Sequence, residues 1–374
     1  MALVALLLVL AGAADAHAGE RLDKLDRQLH KLVRLGEGPP GAAALVQRNG
    51  RVDFLRAGVA DVESGRSIRR NDHLRIASNA KAFSGAVALQ LVDDGNLSLD
   101  STIAAVLPTL PTAWGAVTLR QLLQHTSGVP NYTKSPGWQA QAATDPQVAV
   151  TPEFLLGLVA NEPLVFPPGS TYEYSNSDNI VVGLMAEAAS GRPYEELLQE
   201  LVFSRLGLKR TTLPSEVAMP RPYVRGYDIA PPDAPVDISE VINPSQVWAS
   251  GGMVSTPVDL NRFIRAYAGG RLIERSTKLQ QRSFIPGHGG EPPGPGQNSA
   301  GLALYKYETS CGTVLGHAGN FPGYTDFIAA TPNGRGSAVV FANEQLAEAA
   351  DTKPEIFEQL RKAFRLATCA ALPR

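Results

Sequence analysis

Apolar residues recur along the chain with two periods, and the changes between them divide it into segments. Leu22, Leu25, Leu29, Leu32 and Val33 stand at helical spacing and predict an amphipathic helix over 22–35. Residues 42–48 and 51–57 are strand-like, and Asn49-Gly50 between them is the dipeptide a type I′ hairpin favours. A third strand is expected before His73, followed by a helix from Ser78 to Asp94 that Gly95 stops. From 96 the texture changes to helices joined by Pro-rich loops. Thr118-Leu119-Arg120-Gln121 has the form of a capping box opening a helix that ends at Gly128. Further helices are expected over 151–160, 179–190, 194–205 and 257–267, and Pro286 to Pro295 reads as a Gly/Pro-rich surface loop. Strand patterns return at 300–307, 313–315, 325–330 and 337–343, with Asn333-Gly334 as a second hairpin turn. A last helix over 354–367 carries Ile356, Phe357, Leu360, Ala363, Phe364 and Ala367 as its buried stripe.

Strands at both ends with helices between them imply an α+β fold: one antiparallel sheet flanked by N- and C-terminal helices, with an inserted helical lobe. Residues 19–95 and 290–374 form the α/β lobe in this reading and 96–289 the mainly helical one, with a ligand site in the cleft between. The 374 residues suffice for one or two lobes, and 44% hydrophobic with 19% charged residues is the balance of a folded, soluble chain. A net charge of −2 gives no electrostatic reason to expect nucleic acid or an anionic membrane as partner. Residues 2–12 are apolar and Ala16-His17-Ala18 is a small-x-small site, although no Lys or Arg precedes the apolar run. This reads as a signal peptide over 1–18, cleaved after Ala18, and implies a periplasmic or secreted protein. The stretch is too short to span a bilayer and no longer one follows, so no stable membrane insertion is expected. The six histidines show no His-Glu-x-x-His or comparable spacing, and there is no P-loop, so neither metal nor cofactor is expected.

The candidate chemistry begins at Ser78 and Lys81. Three residues apart at a helix start, they share a face and reach each other. A serine hydroxyl is a poor nucleophile at neutral pH, and a partly desolvated lysine can help take its proton. Tyr174-Ser175-Asn176 follows a Pro-Pro-Gly turn and precedes an apolar helix, and His317-Ala318-Gly319 lies much later between strand-like runs. Ser-x-x-Lys, Tyr-x-Asn and a basic residue-x-Gly, in this order, resemble the serine β-lactamase and D-Ala-D-Ala carboxypeptidase superfamily. The Tyr-x-Asn form resembles its class C-like branch, which also holds carboxypeptidases and esterases. Leu122-Leu123-Gln124-His125-Thr126-Ser127-Gly128-Val129-Pro130 and the stretch from Ala249 to Leu260 fit the same branch, and the likeness runs from about 25 to about 365.

The resemblance implies roles residue by residue. Ser78 is the nucleophile, and the backbone N–H groups of Ser78 and Asn320 are the oxyanion donors. Lys81 and Tyr174 are both candidates for the base, the second because a phenol near cationic groups can have its pKa lowered toward neutrality. Asn176, His317 and Gly319 form the substrate-binding set. Asn176 bonds the acyl side chain and orients Lys81, and His317 either binds a substrate carboxylate when protonated or relays a proton to Tyr174. Ser177-Asp178-Asn179 spells a rival Ser-Asp-Asn register, but Gly183 and the preceding turn favour Tyr174 and Asn176, leaving the rival triplet as a helix cap. His125 and Ser127 are read as cleft wall rather than as a dyad. His288-Gly289-Gly290 lacks the Gly-x-Ser-x-Gly elbow that an esterase oxyanion loop would accompany. In this fold the last helix packs on the sheet, so Cys311 and Cys369 can bridge or remain two inert thiols. The expected reaction is acyl-enzyme hydrolysis on Ser78 of a small peptide, ester or β-lactam. Carboxypeptidase-like action on peptidoglycan or D-amino-acid peptides leads, esterase and β-lactamase activities follow, and a non-catalytic penicillin-binding-like module is the rival from another class.

Overall fold

The computed structural model describes residues 19–287, 294–346 and 353–372. The expected signal peptide, His288-Gly289-Gly290 and most of the loop from Pro286 to Pro295 lie outside the described residues.

Helix α1 covers 19–33. Strands β1 (Gly41–Arg48) and β2 (Arg51–Gly58) form the expected hairpin, with Asn49 at φ 48° and Gly50 at φ 81°, both left-handed as a type I′ turn demands. β3 (Leu74–Arg75) follows His73 rather than preceding it and leads through a 3-10 turn at 77–79 into α2 (Ala80–Asp93). The helical region then contains α3 (Ile103–Val106), α4 (Leu119–Leu123), α5 (Pro136–Thr144), α6 (Pro152–Gly157), α7 (Asn176–Ser190) and α8 (Tyr194–Leu197), the last continuing as a π-helical stretch over 198–204. After β4 (Tyr227–Asp228) and β5 (Val236–Asp237) come α9 (Trp248–Gly251), β6 (Val254–Ser255), α10 (Pro257–Gly269) and α11 (Arg275–Gln281). The chain closes with β7 (Ile285–Pro286), β8 (Gln297–Ala300), β9 (Tyr305–Thr309), β10 (Gly312–Phe321), β11 (Tyr324–Ala330), β12 (Ser337–Ala342) and a final helix, α12 (Pro354–Ala371).

Eight strands make one antiparallel sheet in the order β2-β1-β12-β11-β10-β9-β8-β7, so the two chain ends meet where β1 pairs with β12. Alternation sends Ala42, Ala44, Val46, Phe327 and Val340 to one face, against α1 and α12, whose stripe Ile356, Leu360, Ala363, Phe364 and Ala367 is buried there. Ala43, Leu45, Ile328, Val339 and Phe341 go to the other face, in one continuous core with Phe83 of α2, Phe263 of α10 and the helical region. Helix α10 packs on β11, β12 and β1. The sheet's inner layer therefore draws on 257–269, inside the span that sequence texture assigns to the helical lobe. The reason is that α10 is amphipathic, and its apolar side needs the sheet's second face.

Local chemistry explains the boundary differences. The capping box at Thr118 and Gln121 is present, but α4 ends at Leu123 because His125 turns left-handed at φ 56°. Helix α7 starts at Asn176, so Ser177, Asp178 and Asn179 are buried in its first turn and do not cap it. The predicted strand 300–307 splits at Gly301, where a side chain would meet the Gln281 carbonyl. Cys369 lies inside α12 and is disulfide-bonded to Cys311, with Cα atoms 5.3 Å apart.

Candidate active site

The turn bearing Ser78 is held from three sides. Ile76 N–H donates to the Met253 carbonyl at 3.1 Å, and β3 pairs with β6, which ties the turn to the chain leaving α9. Ala77, just before Ser78, sits at φ 47°, a left-handed conformation costing an alanine about 1–2 kcal/mol. Gly319 of β10 closes the third side: a Cβ there would lie 2.7 Å from the Ile76 carbonyl and 3.0 Å from Ala77 Cβ. The absence of a side chain at 319 lets the strand carrying Asn320 approach the turn. Asn320 pairs with Thr325 across β10 and β11, and its Oδ1 accepts from Thr325 Oγ1 at 3.1 Å.

Lys81 is fully buried on the first turn of α2, whereas Ser78, Tyr174, Asn176 and Asn320 are half-buried around it. Its Nζ has three neighbours: Asn176 Oδ1 at 2.7 Å, the Ser250 carbonyl at 2.7 Å and Ser78 Oγ at 3.1 Å. Burial pushes the Lys81 pKa well down, against the opposing pull of Asp178. A neutral amine has two N–H donors and one lone pair. Two carbonyl acceptors and one hydroxyl match that inventory, with the lone pair left for the serine proton.

Tyr174 lies over the same amine, its ring centroid 4.9 Å from Nζ, and packs on His125 at 4.5 Å. Its hydroxyl is buried without a hydrogen bond of normal geometry. Burial raises its pKa well above 10, and the nearby Ser78 offsets this only in part. The expectation of a phenol lowered toward neutrality is thereby corrected: the lysine beside it is itself desolvated and supplies too little charge. His317 is likewise buried. Burial pushes its pKa down to about 3, and its Nδ1 lies 2.6 Å from the Ala318 carbonyl, so Nδ1–H is the donor. A neutral His317 offers no charge for gripping a carboxylate, and one of its two expected roles has no support here.

Sequence reasoning missed three supports. The Ser250 carbonyl is a backbone group with no side-chain signature, although its stretch stands out in the sequence. Asn131 caps a 3-10 turn over 132–134 that contains Thr133 and carries no motif, yet Asn131 Oδ1 accepts from the Asn176 N–H and Asn176 Nδ2 donates to Thr133 Oγ1, both at 3.1 Å. Asp178 binds both residues read as cleft wall: His125 Nδ1 lies 2.8 Å from Oδ2, and Ser127 Oγ donates to Oδ1 at 2.5 Å. His125 is kept neutral by burial. This buried trio underlies the Tyr174 ring. Among the described residues no cluster of His, Cys, Asp or Glu could hold a metal.

The Beta-lactamase family model matches residues 22–361. The chain belongs to the Beta-lactamase family. Its relatives include a penicillin-binding protein of Bacillus subtilis (strain 168), 25% identical over 300 residues, covering 77% of this chain and 64% of that one. A D-aminopeptidase of Cereibacter sphaeroides (strain ATCC 17029 / ATH 2.4.9) is 33% identical over 213 residues, covering 55% of this chain and 39% of that one. This chain thus spans less than two thirds of either relative's length. The solved D-stereospecific amidohydrolase from Streptomyces sp. is 29% identical with a TM-score of 0.77, covering 90% of this chain and 97% of that one. The β-lactamase/transpeptidase-like fold and membership of a serine-hydrolase superfamily follow. Among the described residues, no helix is long and apolar enough to cross a membrane.

Proposed function

We propose that this family member hydrolyses D-amino-acid amides or peptides through an acyl-enzyme on Ser78. The observation that carries the reaction is the set of neighbours around Lys81: two carbonyl acceptors hold its N–H groups and leave the lone pair at Ser78 Oγ. In this reading Lys81 accepts the Ser78 proton as Oγ attacks the carbonyl carbon. The oxyanion is received by the N–H groups of Ser78 and Asn320, and the protonated lysine returns its proton to the departing nitrogen, directly or through Tyr174. Water then attacks the ester and Ser78 is restored. Asn176 bonds the acyl side while holding Lys81.

The substrate side of the reading rests on His317. A strand that presents a neutral imidazole favours a leaving group without a carboxylate, hence an amide or an N-terminal residue over a D-Ala-D-Ala terminus. The D-aminopeptidase and the D-stereospecific amidohydrolase among the similar proteins point the same way. Export also fits the reading, because a disulfide such as Cys311–Cys369 persists in oxidising compartments.

The test compares D-alanine p-nitroanilide, its L enantiomer, a D-Ala-D-Ala-terminated peptide and p-nitrophenyl acetate as substrates, with Ser78→Ala as control. Cleavage of the D-anilide, lost in Ser78→Ala, is expected. Ester cleavage alone would move the assignment to an esterase, and preference for the dipeptide terminus to a carboxypeptidase. Inertness toward all four, with benzylpenicillin still bound, would leave a binding module.

A further inference from the structure

Beside the nucleophile, and outside the chemistry above, two buried polar groups face each other across the lobes. Asn79 follows Ser78 in the 3-10 turn, and Asp326 lies on β11 directly opposite Gly319 of β10. Both are completely buried. Asn79 Nδ2 donates to Asp326 Oδ1 in a short hydrogen bond. Each side chain then has one oxygen left over, Asn79 Oδ1 and Asp326 Oδ2, and both are buried without a partner. Two acceptors cannot satisfy each other unless one carries a proton. An ionised carboxylate in such a place would need a cation, and none is within salt-bridge distance among the described residues. The charged and titratable groups on the surrounding elements are otherwise engaged. Lys81 serves the catalytic set, and His317 is held neutral on the neighbouring strand. Arg75 Nε donates to the Ser239 carbonyl, Asp259 accepts from Arg210 N–H and Arg265 donates to the Gly334 carbonyl.

We infer that Asp326 is a neutral carboxylic acid in the folded protein, closing a two-hydrogen-bond ring with the Asn79 carboxamide that pins the nucleophile turn to the sheet. Asn79 Nδ2–H donates to Oδ1, Oδ2–H donates to Asn79 Oδ1, and both leftover atoms are satisfied. The ring lies against Gly319, whose missing Cβ would stand 2.9 Å from Asn79 Nδ2. It therefore locks the distance between the turn bearing Ser78 and the strand bearing Asn320. Asp326 is a positioning residue, acting through Asn79. The inference goes beyond the proposed reaction and stands whether or not Ser78 is the nucleophile.

Burial raises the Asp326 pKa to about 8 from an ordinary aspartate value of about 3.9 in the unfolded chain. Between those values the folded state holds a proton that the unfolded state has released, so stability falls as pH rises through this window. Asp326→Asn supplies one acceptor and one donor without titrating, and keeps both bonds. The experiment has two structural readings: infrared difference spectra of 13C-aspartate-labelled wild type against Asp326→Asn at pH 6, and melting temperatures of both from pH 4 to pH 9. A protonated-acid carbonyl band lost in the variant is expected, with a wild-type melting temperature that falls relative to the variant's up to about pH 8. A third reading is turnover. Asp326→Ala is expected to lower kcat with little change in KM, and Asp326→Asn to restore it. A carboxylate band at pH 6 or a pH-independent difference in melting temperature overturns the inference, as does an Asp326→Asn variant no more active than a folded Asp326→Ala. The infrared and melting readings do not depend on which substrate, if any, is hydrolysed.

Discussion

At the residue scale the site turns on how one desolvated amine is shared. A permanently charged guanidinium at position 81 would have no lone pair for the serine proton. Lys81→Arg is therefore expected to lose about 10²–10⁴-fold in kcat, the usual worth of a positioned base, in a protein that still folds. The same logic gives a pH dependence. In the proposed reaction Lys81 acts when neutral, so acylation is expected to be slow in acid and to rise with pH, with a midpoint displaced below the ordinary lysine range. A pH profile of kcat/KM in wild type and in Tyr174→Phe checks this. If the phenol were the base, the profile's ascending limb would be lost with it, whereas a lysine base leaves the limb in place. His317 permits a separate prediction about selectivity. Its neutral ring is replaced in His317→Arg by a guanidinium, which keeps its charge when buried, and a charged hydrogen bond to a carboxylate is worth about 1.5–3 kcal/mol. That variant is expected to favour substrates ending in a carboxylate by about tenfold or more in KM, and equal KM ratios in the two proteins would refute the role assigned to His317.

At the scale of elements, the site depends on a contact that no motif announces. Gly183 in α7 lies under α9, where a Cβ would come within 2.6 Å of the Trp248 ring and 3.1 Å of Ala249 Cβ. Trp248 is anchored by its indole N–H to Glu195, and two residues later the Ser250 carbonyl holds Lys81. Gly183→Ala is expected to cost about 1–3 kcal/mol of stability by overpacking and to lower kcat by shifting that carbonyl. Gly183→Ala combined with Trp248→Leu would regain part of both losses, since the two sites share one space. Simple additivity, measured by melting and by turnover, would argue that Gly183 acts independently of α9. The same contact shows why some of the site was legible and some was not. Ser78, Lys81, Tyr174, Asn176 and His317 are side chains at a characteristic spacing, and the Lys81 amine meets Ser78 and Asn176 with the Tyr174 ring over it. Ser250 contributes through its backbone, Asn131 through a loop, and Asp178 through a triplet that reads as a cap until α7 is seen to start at Asn176. Protonation states were illegible for a different reason: they depend on burial, which for Tyr174 reversed the direction that nearby charges suggested.

For the whole molecule, periodicity was enough to reveal a sheet assembled from both chain ends, because β1, β11, β12 and α12 carry their apolar residues at strand and helix spacing. It could not place α10, whose apolar side fits a helical lobe as well as a sheet, nor extend β10 through Gly316, His317 and Gly319, residues with weak strand preference that pairing with β11 overrides. Long-range closure of this kind is costly in chain entropy, and the disulfide acts on that cost. Cys311 and Cys369 are 58 residues apart, and closing a loop of that length restricts the unfolded chain by about 4 kcal/mol in the chain-entropy account. The bridge fastens α12 to the turn before β10, on the face of the sheet that packs α1 and α12. The Ser78 turn and α2 pack on the opposite face. Cys311→Ser with Cys369→Ser is accordingly expected to lower the melting temperature by roughly 5–10 °C while leaving kcat/KM at 25 °C unchanged, and a reducing agent should do the same to the wild type. Loss of turnover at 25 °C in a variant that circular dichroism shows to be folded would mean that the two faces of the sheet are mechanically linked through β10. That outcome would make the bridge part of the site's preorganisation as well as of its stability.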